Sequence, residues 1–467
     1  MRRWWHGFVA FVVIATGLVP GSAASAAPDV ITKLRAVPGL TVVADKAGPP
    51  GYWLFSLTYR QPIDHRQPSR GSFNQRFTLL HKATDQPMVL HTGGYGVYFT
   101  SPFRDEPTFL LGSNQISVEQ RFFTPSRPSP VDWTVLTIWQ AATDHHRIVE
   151  ALKPIYAKKW ISAGASKGGM TSIYHRRFYP NDVAGTVAYV APNDAVNSSD
   201  AAYTQFFNSV GTDPACRKKL ADLQRESLRR RADLVSRFSS WAQANGRTFN
   251  RSIGTADKAF EMMVLDTPWY FWQYKAQHYC RNVPPVTATS EQILNYMNYI
   301  AGFDSFTDQG VEFYIPYYHQ AGTQLGYPSF DSPHLAGLLR YPGLYSPRSY
   351  VPRDIPMSFD TPAMADIDTW VRQQGSQLLF VYGQNDPWGA EPFRLGPGTR
   401  DSLWFSLAGG NHGAEIGDLP TAERSAATAA LRRWAGLPAV TGSGYGPGDR
   451  YIPGLDDRAR RQEHRRL

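Results

Sequence analysis

The sequence Gly-Ala-Ser-Lys-Gly, residues 164–168, follows a short apolar segment at residues 159–163 and precedes a segment of helical composition. A strand that turns sharply into a helix at a Gly-x-Ser-x-Gly motif is the setting of a nucleophile elbow, in which the serine hydroxyl projects above the end of a parallel sheet. The glycines let neighbouring chain segments pass close together. Ser166 is therefore a candidate nucleophile, although an ordinary strand-to-helix turn could carry so short a motif by chance.

Two later loops contain the partners that a serine nucleophile needs. Asp386 follows an apolar segment at residues 377–383, and His412 follows another at residues 402–407. The chain order serine, aspartate, histidine is that of the α/β-hydrolase fold, whereas chymotrypsin and subtilisin have other orders. We predict that His412 is the general base and that Asp386 fixes its tautomer and stabilises the imidazolium.

Both partners have structural alternatives. Asp386 could belong to an Asn-Asp-Pro turn, and His412 could be a loop histidine without a catalytic role. Asp360, Asp366 and Asp368 are other acids in this part of the sequence. They precede the strand that leads to Asp386 rather than follow it, so we expect them to be surface or helix-capping residues.

The tetrahedral oxyanion of acyl transfer needs preorganised hydrogen-bond donors. The backbone N–H of Lys167, directly after the candidate nucleophile, is predicted to be one of them. An apolar segment at residues 87–91 leads into Thr-Gly-Gly-Tyr-Gly at residues 92–96. A glycine-rich loop after an early strand supplies the second donor in this fold, and Gly94 or Tyr95 is the candidate.

The alternation of apolar and helical segments predicts an α/β-hydrolase fold with a largely helical lid insertion. Residues 52–59 and 75–81 are predicted to form antiparallel edge strands, and residues 218–244 a helical segment of the lid. The predicted division is a signal peptide at residues 1–26, the hydrolase domain at 27–194 and 355–440, the lid at 195–354 and a basic tail at 441–467.

The first residues and the charge pattern indicate an exported protein. Arg2 and Arg3 precede an apolar run at residues 8–19 and small residues up to Ala26, which resembles a secretory signal peptide. No later segment offers about 20 consecutive apolar residues, so we expect no membrane span. The net charge of +9 arises mostly from scattered basic residues, a pattern that does not indicate nucleic-acid binding. We expect a secreted, extracellular monomer.

Cys216 and Cys280 are the two cysteines of the chain, and both lie in the predicted lid. In an oxidising compartment we expect a disulfide between them, the alternative being two separate buried thiols. His145, His146 and Glu150 share one predicted helix, but the sequence shows no further ligand beside them. We therefore expect packed or solvated side chains there, and neither a metal nor a cofactor.

Four segments together resemble the secreted bacterial prolyl tri/tetrapeptidyl aminopeptidases: Val-Glu-Gln-Arg-Phe-Phe at residues 118–123, Asp-His-His at 144–146, the elbow at 164–170 and Asn-Asp-Pro-Trp at 385–388. The first segment also resembles, more distantly, prolyl carboxypeptidase and dipeptidyl peptidase II, although Thr-Pro follows it in place of their Gly-Glu-Ser. The resemblance implies a serine exopeptidase that removes short peptides from a free N-terminus and prefers proline at the cleavage position.

Such an exopeptidase needs an anion to hold the substrate ammonium, because an uncompensated ammonium in a desolvated cleft is costly. Glu119, at the end of a predicted central strand, is the candidate anchor. Its structural alternative is an ion pair with Arg121 or another arginine. The acids Asp304, Asp308 and Asp331 of the predicted lid are further candidates.

Proline fits a flat apolar slot, which aromatic rings provide. Trp388 and the aromatic segments at residues 269–272 and 313–318 are candidates for this slot, although aromatic residues in a lid often form its own core. We predict an enzyme that acts on peptides with a free N-terminus. A secreted lipase or esterase would share the triad but need no ammonium anchor, and the intact triad argues against a non-enzymatic binding protein.

Overall fold

The computed structural model describes residues 27–100, 102–195, 200–439, 452, 455 and 456. The predicted signal peptide at residues 1–26 and nearly all of the predicted tail at 441–467 lie outside the described residues. The strands are β1 Leu40–Ala47, β2 Trp53–Pro62, β3 Ser72–His81, β4 Met88–His91, β5 Asn114–Val118, β6 Trp160–Ala165, β7 Gly185–Tyr189, β8 Leu378–Gly383 and β9 Leu403–Leu407.

The α-helices of the described chain surround these strands. They are α1 Ala27–Arg35, α2 Glu106–Leu111, α3 Ile138–Leu152, α4 Lys167–Phe178, α5 Ala201–Ser209, α6 Pro214–Arg229, α7 Arg231–Ala244, α8 Ala256–Tyr274, α9 Ser290–Ala301, α10 Asp308–Glu312, α11 Ile315–Gln320, α12 Pro362–Gln374 and α13 Thr421–Trp434. None of them is long and apolar enough to span a membrane.

The strands form one sheet in the order β1-β2-β3-β5-β4-β6-β7-β8-β9. The pairs from β1 to β3 and the pair β3–β5 are antiparallel, whereas every pair from β5 through β9 is parallel. Parallel neighbours end at the same edge of a sheet, so the loops after β4, β6, β7, β8 and β9 gather there. This is the α/β-hydrolase fold that the sequence predicted.

Helices cover both faces of the parallel part of the sheet, because successive side chains of a strand point to opposite faces. In β8, Leu379 and Val381 pack in one core with residues of α13, whereas Phe380 and Tyr382 pack in another with residues of α4 and α12. All six residues of β8 are buried. The strand β8, which precedes Asp386, is therefore held firmly between helices on both faces of the sheet.

The predicted edge strands are not at the edge. Residues 52–59 and 75–81 correspond to β2 and β3, but β1 pairs with the free side of β2, and β3 pairs with both β2 and β5. The strand β1 was not predicted from the sequence, because Leu40 is the one buried residue among the eight residues of this strand. A strand at the sheet edge with both faces largely exposed lacks the apolar signature of a core strand.

The described chain between β7 and β8 contains helices and no strand. The helical segment predicted at residues 218–244 is two helices, α6 and α7. The core of this lid includes Trp272, Met297 and Tyr317, and it continues without interruption to Tyr95 and Trp388 in the loops of the hydrolase sheet. The lid is therefore packed onto the edge where the loops gather.

The lid contains the predicted disulfide. Cys216, in α6, is bonded to Cys280, in the 3₁₀-helix Gln277–Asn282, and their Cα atoms are 5.4 Å apart. The two cysteines are 64 residues apart in the sequence. The bond thus fixes α6 to the segment that follows α8.

Replacement of both cysteines by alanine is expected to lower the free energy of unfolding by about 2–5 kcal/mol, because the unfolded chain regains the conformational freedom of a long loop. Urea unfolding of Cys216→Ala/Cys280→Ala beside the oxidised wild type measures the difference. Wild type treated with a reductant is the matched control. An unchanged midpoint would show that the bond contributes nothing to stability.

Candidate active site

Ser166 lies at the sharp turn between β6 and α4. Its φ of 55° and ψ of −126° are outside the regions that residues other than glycine usually adopt. The turn is held by two backbone hydrogen bonds, from the N–H of Ser166 to the Tyr189 carbonyl at 2.9 Å and from the N–H of Met170 to the Ser166 carbonyl at 3.0 Å. A serine that is held in a strained backbone conformation by surrounding hydrogen bonds is typical of a nucleophile elbow.

The glycines beside Ser166 are required by a close backbone crossing. A Cβ on Gly168 would lie 2.2 Å from the carbonyl oxygen of Thr92, and a Cβ on Gly164 would lie 2.6 Å from the same oxygen. The Thr92 hydroxyl donates to the Gly168 carbonyl at 2.8 Å. The end of β4 and the start of α4 are thus fixed against each other with no room for a side chain.

His412 and Asp386 are in direct contact. The Nδ1 atom of His412 lies 2.7 Å from Oδ2 of Asp386, whose Oδ1 accepts the backbone N–H of Trp388 at 3.1 Å. The two loops approach closely, since a Cβ on Gly383 would lie 2.2 Å from the Asn411 carbonyl. The Nε2 atom of His412 is buried and has no hydrogen-bond partner in the described part of the chain. That nitrogen is therefore available to accept a proton.

The lid also contacts the histidine loop. The backbone N–H of His412 donates to the carbonyl of Gln273, in the last turn of α8, at 3.1 Å. The ring of the next residue, Tyr274, is nearly perpendicular to the imidazole, with 6.3 Å between the ring centroids. The position of the histidine thus depends on the lid as well as on the sheet.

The other acids near Asp386 in the sequence have different partners. Asp366 and Asp368 form ion pairs with arginines at 3.1 Å and 2.8 Å, and Asp360 accepts a hydrogen bond from Gln324 at 3.0 Å. The structure therefore brings Asp386, and none of these three acids, to the imidazole.

The glycine-rich loop after β4 lies over the first turn of α4. Gly94 has a φ of 74°, and a Cβ there would lie 3.1 Å from the backbone nitrogen of Gly168. The Nζ atom of Lys167 donates to the Gly94 carbonyl at 2.6 Å and stands 5.5 Å from the centre of the Tyr95 ring. Burial lowers the pKa of this amine to about 7. The sequence had suggested a role for the Lys167 backbone but not for its side chain.

A pocket opens beside Ser166, between the elbow and the lid. Of the aromatic residues predicted to bind proline, Trp388 and Tyr317 line it, and Trp269 packs edge-on behind Trp388 with 4.9 Å between ring centroids. Sequence analysis missed Tyr203, which also lines the pocket. Its apolar walls are completed by Met170, Pro192, Leu325 and Pro328.

Glu119 lies just after β5 and is 0% exposed. Its Oε1 accepts the Ser126 backbone N–H at 3.1 Å and the Ser126 hydroxyl at 2.7 Å, whereas its Oε2 accepts the Val97 N–H at 3.1 Å and pairs with Arg76. Arg121, the arginine that the sequence suggested, pairs with an acid of α3 at 2.6 Å. Because each oxygen of Glu119 already has two partners, the contacts match the structural alternative and not an ammonium anchor.

Three carboxylates that sequence analysis did not single out meet beside the pocket. The oxygen atoms of Asp194, Asp200 and Glu391 lie within 4.8 Å of one another, and Asp194 lines the pocket together with Ser166. Asp194 follows β7 and Glu391 follows β8 and the Asp386 turn. For Asp194 and Glu391, their positions after neighbouring parallel strands were a signal in the sequence, whereas Asp200 directly precedes α5 and has no such signal.

The helix residues considered as metal ligands have a further potential ligand beside them, Asp182, which lies close to His146 and Glu150. Its carboxylate is 3.0 Å from Nδ1 of His146 and 3.0 Å from Nε2 of His175. Burial lowers the pKa of His145 to about 3. The cluster thus makes internal contacts that join α3 to the end of α4.

Known proteins resemble this chain over most of its length. The sequence profile of a family described as PS-10 peptidase S37 matches residues 23–466. The prolyl tri/tetrapeptidyl aminopeptidase of Streptomyces mobaraensis is 54% identical over 446 residues, which cover 94% of this chain and 93% of that enzyme.

Two solved structures give more distant matches. A peroxisomal α/β-hydrolase of Saccharomyces cerevisiae has a TM-score of 0.34 at 11% identity, with 91% of this chain and 93% of that chain covered. A serine hydrolase involved in carbazole degradation has a TM-score of 0.34 at 12% identity, with 80% of this chain and 99% of that chain covered. The strand order and strand directions of the sheet establish the fold.

Gly168→Ala is expected to destabilise the protein by at least about 1–3 kcal/mol and to abolish hydrolysis, because its Cβ would press on a backbone oxygen that cannot move aside. Gly389→Ala is the matched control, since its Cβ would meet its nearest atom at 3.5 Å. Thermal unfolding and turnover of an activated ester measure both effects. Full activity in Gly168→Ala would contradict the close crossing.

Proposed function

This chain belongs to the peptidase S37 family of serine peptidases, and we propose that it is a secreted exopeptidase that releases tri- or tetrapeptides from free N-termini. Proline is the preferred residue at the cleavage position. Two observations carry the proposal, the hydrogen bond between His412 and Asp386 and the strained turn at Ser166. The name of the relative from Streptomyces mobaraensis supports the choice of substrate.

In the proposed reaction, the Ser166 hydroxyl attacks the scissile carbonyl while Nε2 of His412 takes its proton. Asp386 stabilises the imidazolium through Nδ1. The tetrahedral intermediate then expels the amine, which leaves with the proton from His412, and an acyl-enzyme remains on Ser166. Water, activated by the same imidazole, hydrolyses the ester and releases the N-terminal peptide.

The oxyanion of the tetrahedral intermediate is proposed to accept hydrogen bonds from the backbone N–H of Lys167 and from that of Gly94 or Tyr95. The hydrogen bond from the Lys167 amine to the Gly94 carbonyl supports this assignment, because it fixes the loop over the turn that carries the nucleophile. The Lys167 side chain is thus a positioning group for the second donor.

Proline is proposed to bind in the pocket beside Ser166. The rings of Trp388, Tyr203 and Tyr317 line the pocket, and flat rings suit the flat pyrrolidine. The disulfide of the lid supports secretion, because such bonds persist in oxidising compartments. The proposed partners are peptides with a free N-terminus, and the proposed state is a monomer.

Purified enzyme is expected to cleave Ala-Ala-Pro-anilide, and Ser166→Ala is expected to lower kcat by at least about 10⁴-fold, because only binding and oxyanion stabilisation remain. Sulfonyl fluorides should label Ser166, as peptide mapping would show. Preference for long acyl esters, with no cleavage of the anilide, would favour a lipase or esterase instead.

His412→Ala is expected to be nearly as damaging as loss of the nucleophile, and Asp386→Asn is expected to lower kcat by about 10⁴-fold because the imidazole then adopts the wrong tautomer. Asp360→Asn, which removes a nearby acid outside the triad, is the matched control and should retain activity. The proposed acid would be wrong if Asp360→Asn were inactive and Asp386→Asn fully active.

A further inference from the structure

We infer that the carboxylates of Asp194, Asp200 and Glu391 form the binding site for the α-ammonium group of the peptide substrate. The inference rests on the proposed exopeptidase function and assigns the recognition of the free N-terminus to three residues of this site. It also replaces Glu119, whose oxygens are fully occupied, as the anchor.

The three acids have no counter-ion. Their oxygen atoms lie within 4.8 Å of one another, and in the part of the chain that the structure describes no lysine, arginine or histidine pairs with any of them. Asp200 accepts the backbone N–H of Ser329 with one oxygen, while its other oxygen is buried and unpartnered. Like charges held this close repel one another unless a proton or a cation lies between them.

Asp194 connects this cluster to the nucleophile. Asp194 is 3% exposed, lines the same pocket as Ser166, and has the backbone N–H of Tyr327 as a donor but no cationic side chain beside it in the described chain. Gly326 of the lid closes over it, since a Cβ there would lie 2.8 Å from the Asp194 carboxyl carbon. A buried carboxylate without a counter-ion is unfavourable, and a bound cation would relieve this cost.

A second observation, independent of the acids, points to a ligand. The hydroxyl of Tyr203 is buried, lines the pocket and has no hydrogen-bond partner. After burial, the charges of Asp194, Glu391 and Asp200 are the next causes that raise its pKa, so the hydroxyl lies near the cluster. The indole N–H of Trp388, on the same pocket wall, is also unpartnered. Buried polar groups normally have partners, and a substrate would supply them.

The electrostatics of the cluster agree with this geometry. Burial raises the pKa of Asp194 to about 8, with further contributions from Asp200 and Glu391, although the backbone N–H of Tyr327 lowers it. Burial and then the charge of Asp200 raise the pKa of Glu391 to about 7. Burial thus disfavours the charged forms of both carboxyl groups, and a bound cation would lower both pKa values.

An ammonium group matches this cluster in shape and in charge. It has three N–H donors and no acceptor, and each of the three carboxylates can accept one of its hydrogen bonds. Three extended residues span at most about 10 Å, so an N-terminus held at Asp194 keeps the scissile bond of a short peptide near Ser166.

The test compares cleavage of Ala-Ala-Pro-anilide with cleavage of its N-acetylated form. Acetylation is expected to lower kcat/KM of the wild type about 30- to 1,000-fold, the range for loss of one partner of a desolvated charge pair. In Asp194→Asn, kcat/KM for the free amine should fall about 30-fold or more, whereas that for the acetylated form should change less than about threefold. Discrimination between the two substrates should therefore disappear.

Glu391→Gln, at a partly exposed position, keeps the test valid if Asp194→Asn does not fold, and it should weaken discrimination in the same direction. Asp331→Asn, which removes an exposed acid of the lid, is the matched control and should retain full discrimination. Discrimination retained in both Asp194→Asn and Glu391→Gln would overturn the inference. So would an equal loss for free and acetylated substrates.

Two further results would assign the cluster to another cation and overturn the inference. One is efficient cleavage of N-acetyl-Lys-Ala-Pro-anilide that is lost in Asp194→Asn, which would indicate a side-chain ammonium. The other is a melting temperature that rises with millimolar Ca²⁺ in the wild type but not in Asp194→Asn, which would indicate a metal ion.

Failure of the proposed function can be recognised separately. Inhibition of p-nitrophenyl acetate hydrolysis by Ala-Ala-Pro-amide and by its acetylated form measures binding without peptide cleavage. If the wild type hydrolyses the ester but not the anilide, the exopeptidase proposal fails. The ammonium site would still be supported if the free peptide inhibits more strongly and Asp194→Asn removes that difference.

Discussion

The close crossing between the Thr92 carbonyl and Gly168 is the constraint on which the site depends. It is possible because β4 and β6 are parallel neighbours, so the loop after β4 and the turn after β6 end at the same edge. Absence of side chains at residues 164 and 168 then brings the glycine-rich loop into contact with the first turn of α4. The Lys167 amine completes this arrangement from the helix side by holding Gly94. The sheet order thus determines the geometry of the proposed oxyanion donors.

The contacts of two buried acids at this edge distinguish a structural carboxylate from one that is proposed to bind substrate. Glu119 and Asp194 are both almost fully buried, and both follow strands of the parallel sheet. Glu119 has four hydrogen-bonding contacts, including a guanidinium, and stabilises the crossing of β3, β5 and the loop after β4. Asp194 has no guanidinium or ammonium beside it in the described chain, and its charged neighbours are the carboxylates of Asp200 and Glu391. The two acids are similarly buried and similarly placed, so the presence or absence of a cationic partner is what separates the structural role of Glu119 from the proposed binding role of Asp194.

The sequence predicted the features that local pattern and chain order determine. Ser166, Asp386 and His412 each follow an apolar strand, and the structure places the last two in contact. The sequence did not predict β1, because an exposed edge strand has no apolar run. The partner of Glu119 could not be deduced either, because Arg76 reaches it from β3 and the register of that strand is invisible in the sequence. Asp194, Asp200 and Glu391 were missed for a related reason, since nearly 200 residues separate the last from the others.

The hydrogen bond from the His412 backbone to the Gln273 carbonyl limits how the lid can be exchanged between related proteins. A lid inserted between two strands looks like a module that could be exchanged between relatives to obtain new substrate ranges. In this chain the last turn of α8 also supports the loop of His412, the proposed catalytic base. A chimaera joined at the ends of β7 and β8 would therefore change the substrate specificity and the support of the His412 imidazole together. Retaining the residues around Gln273 from the recipient hydrolase would avoid the second change.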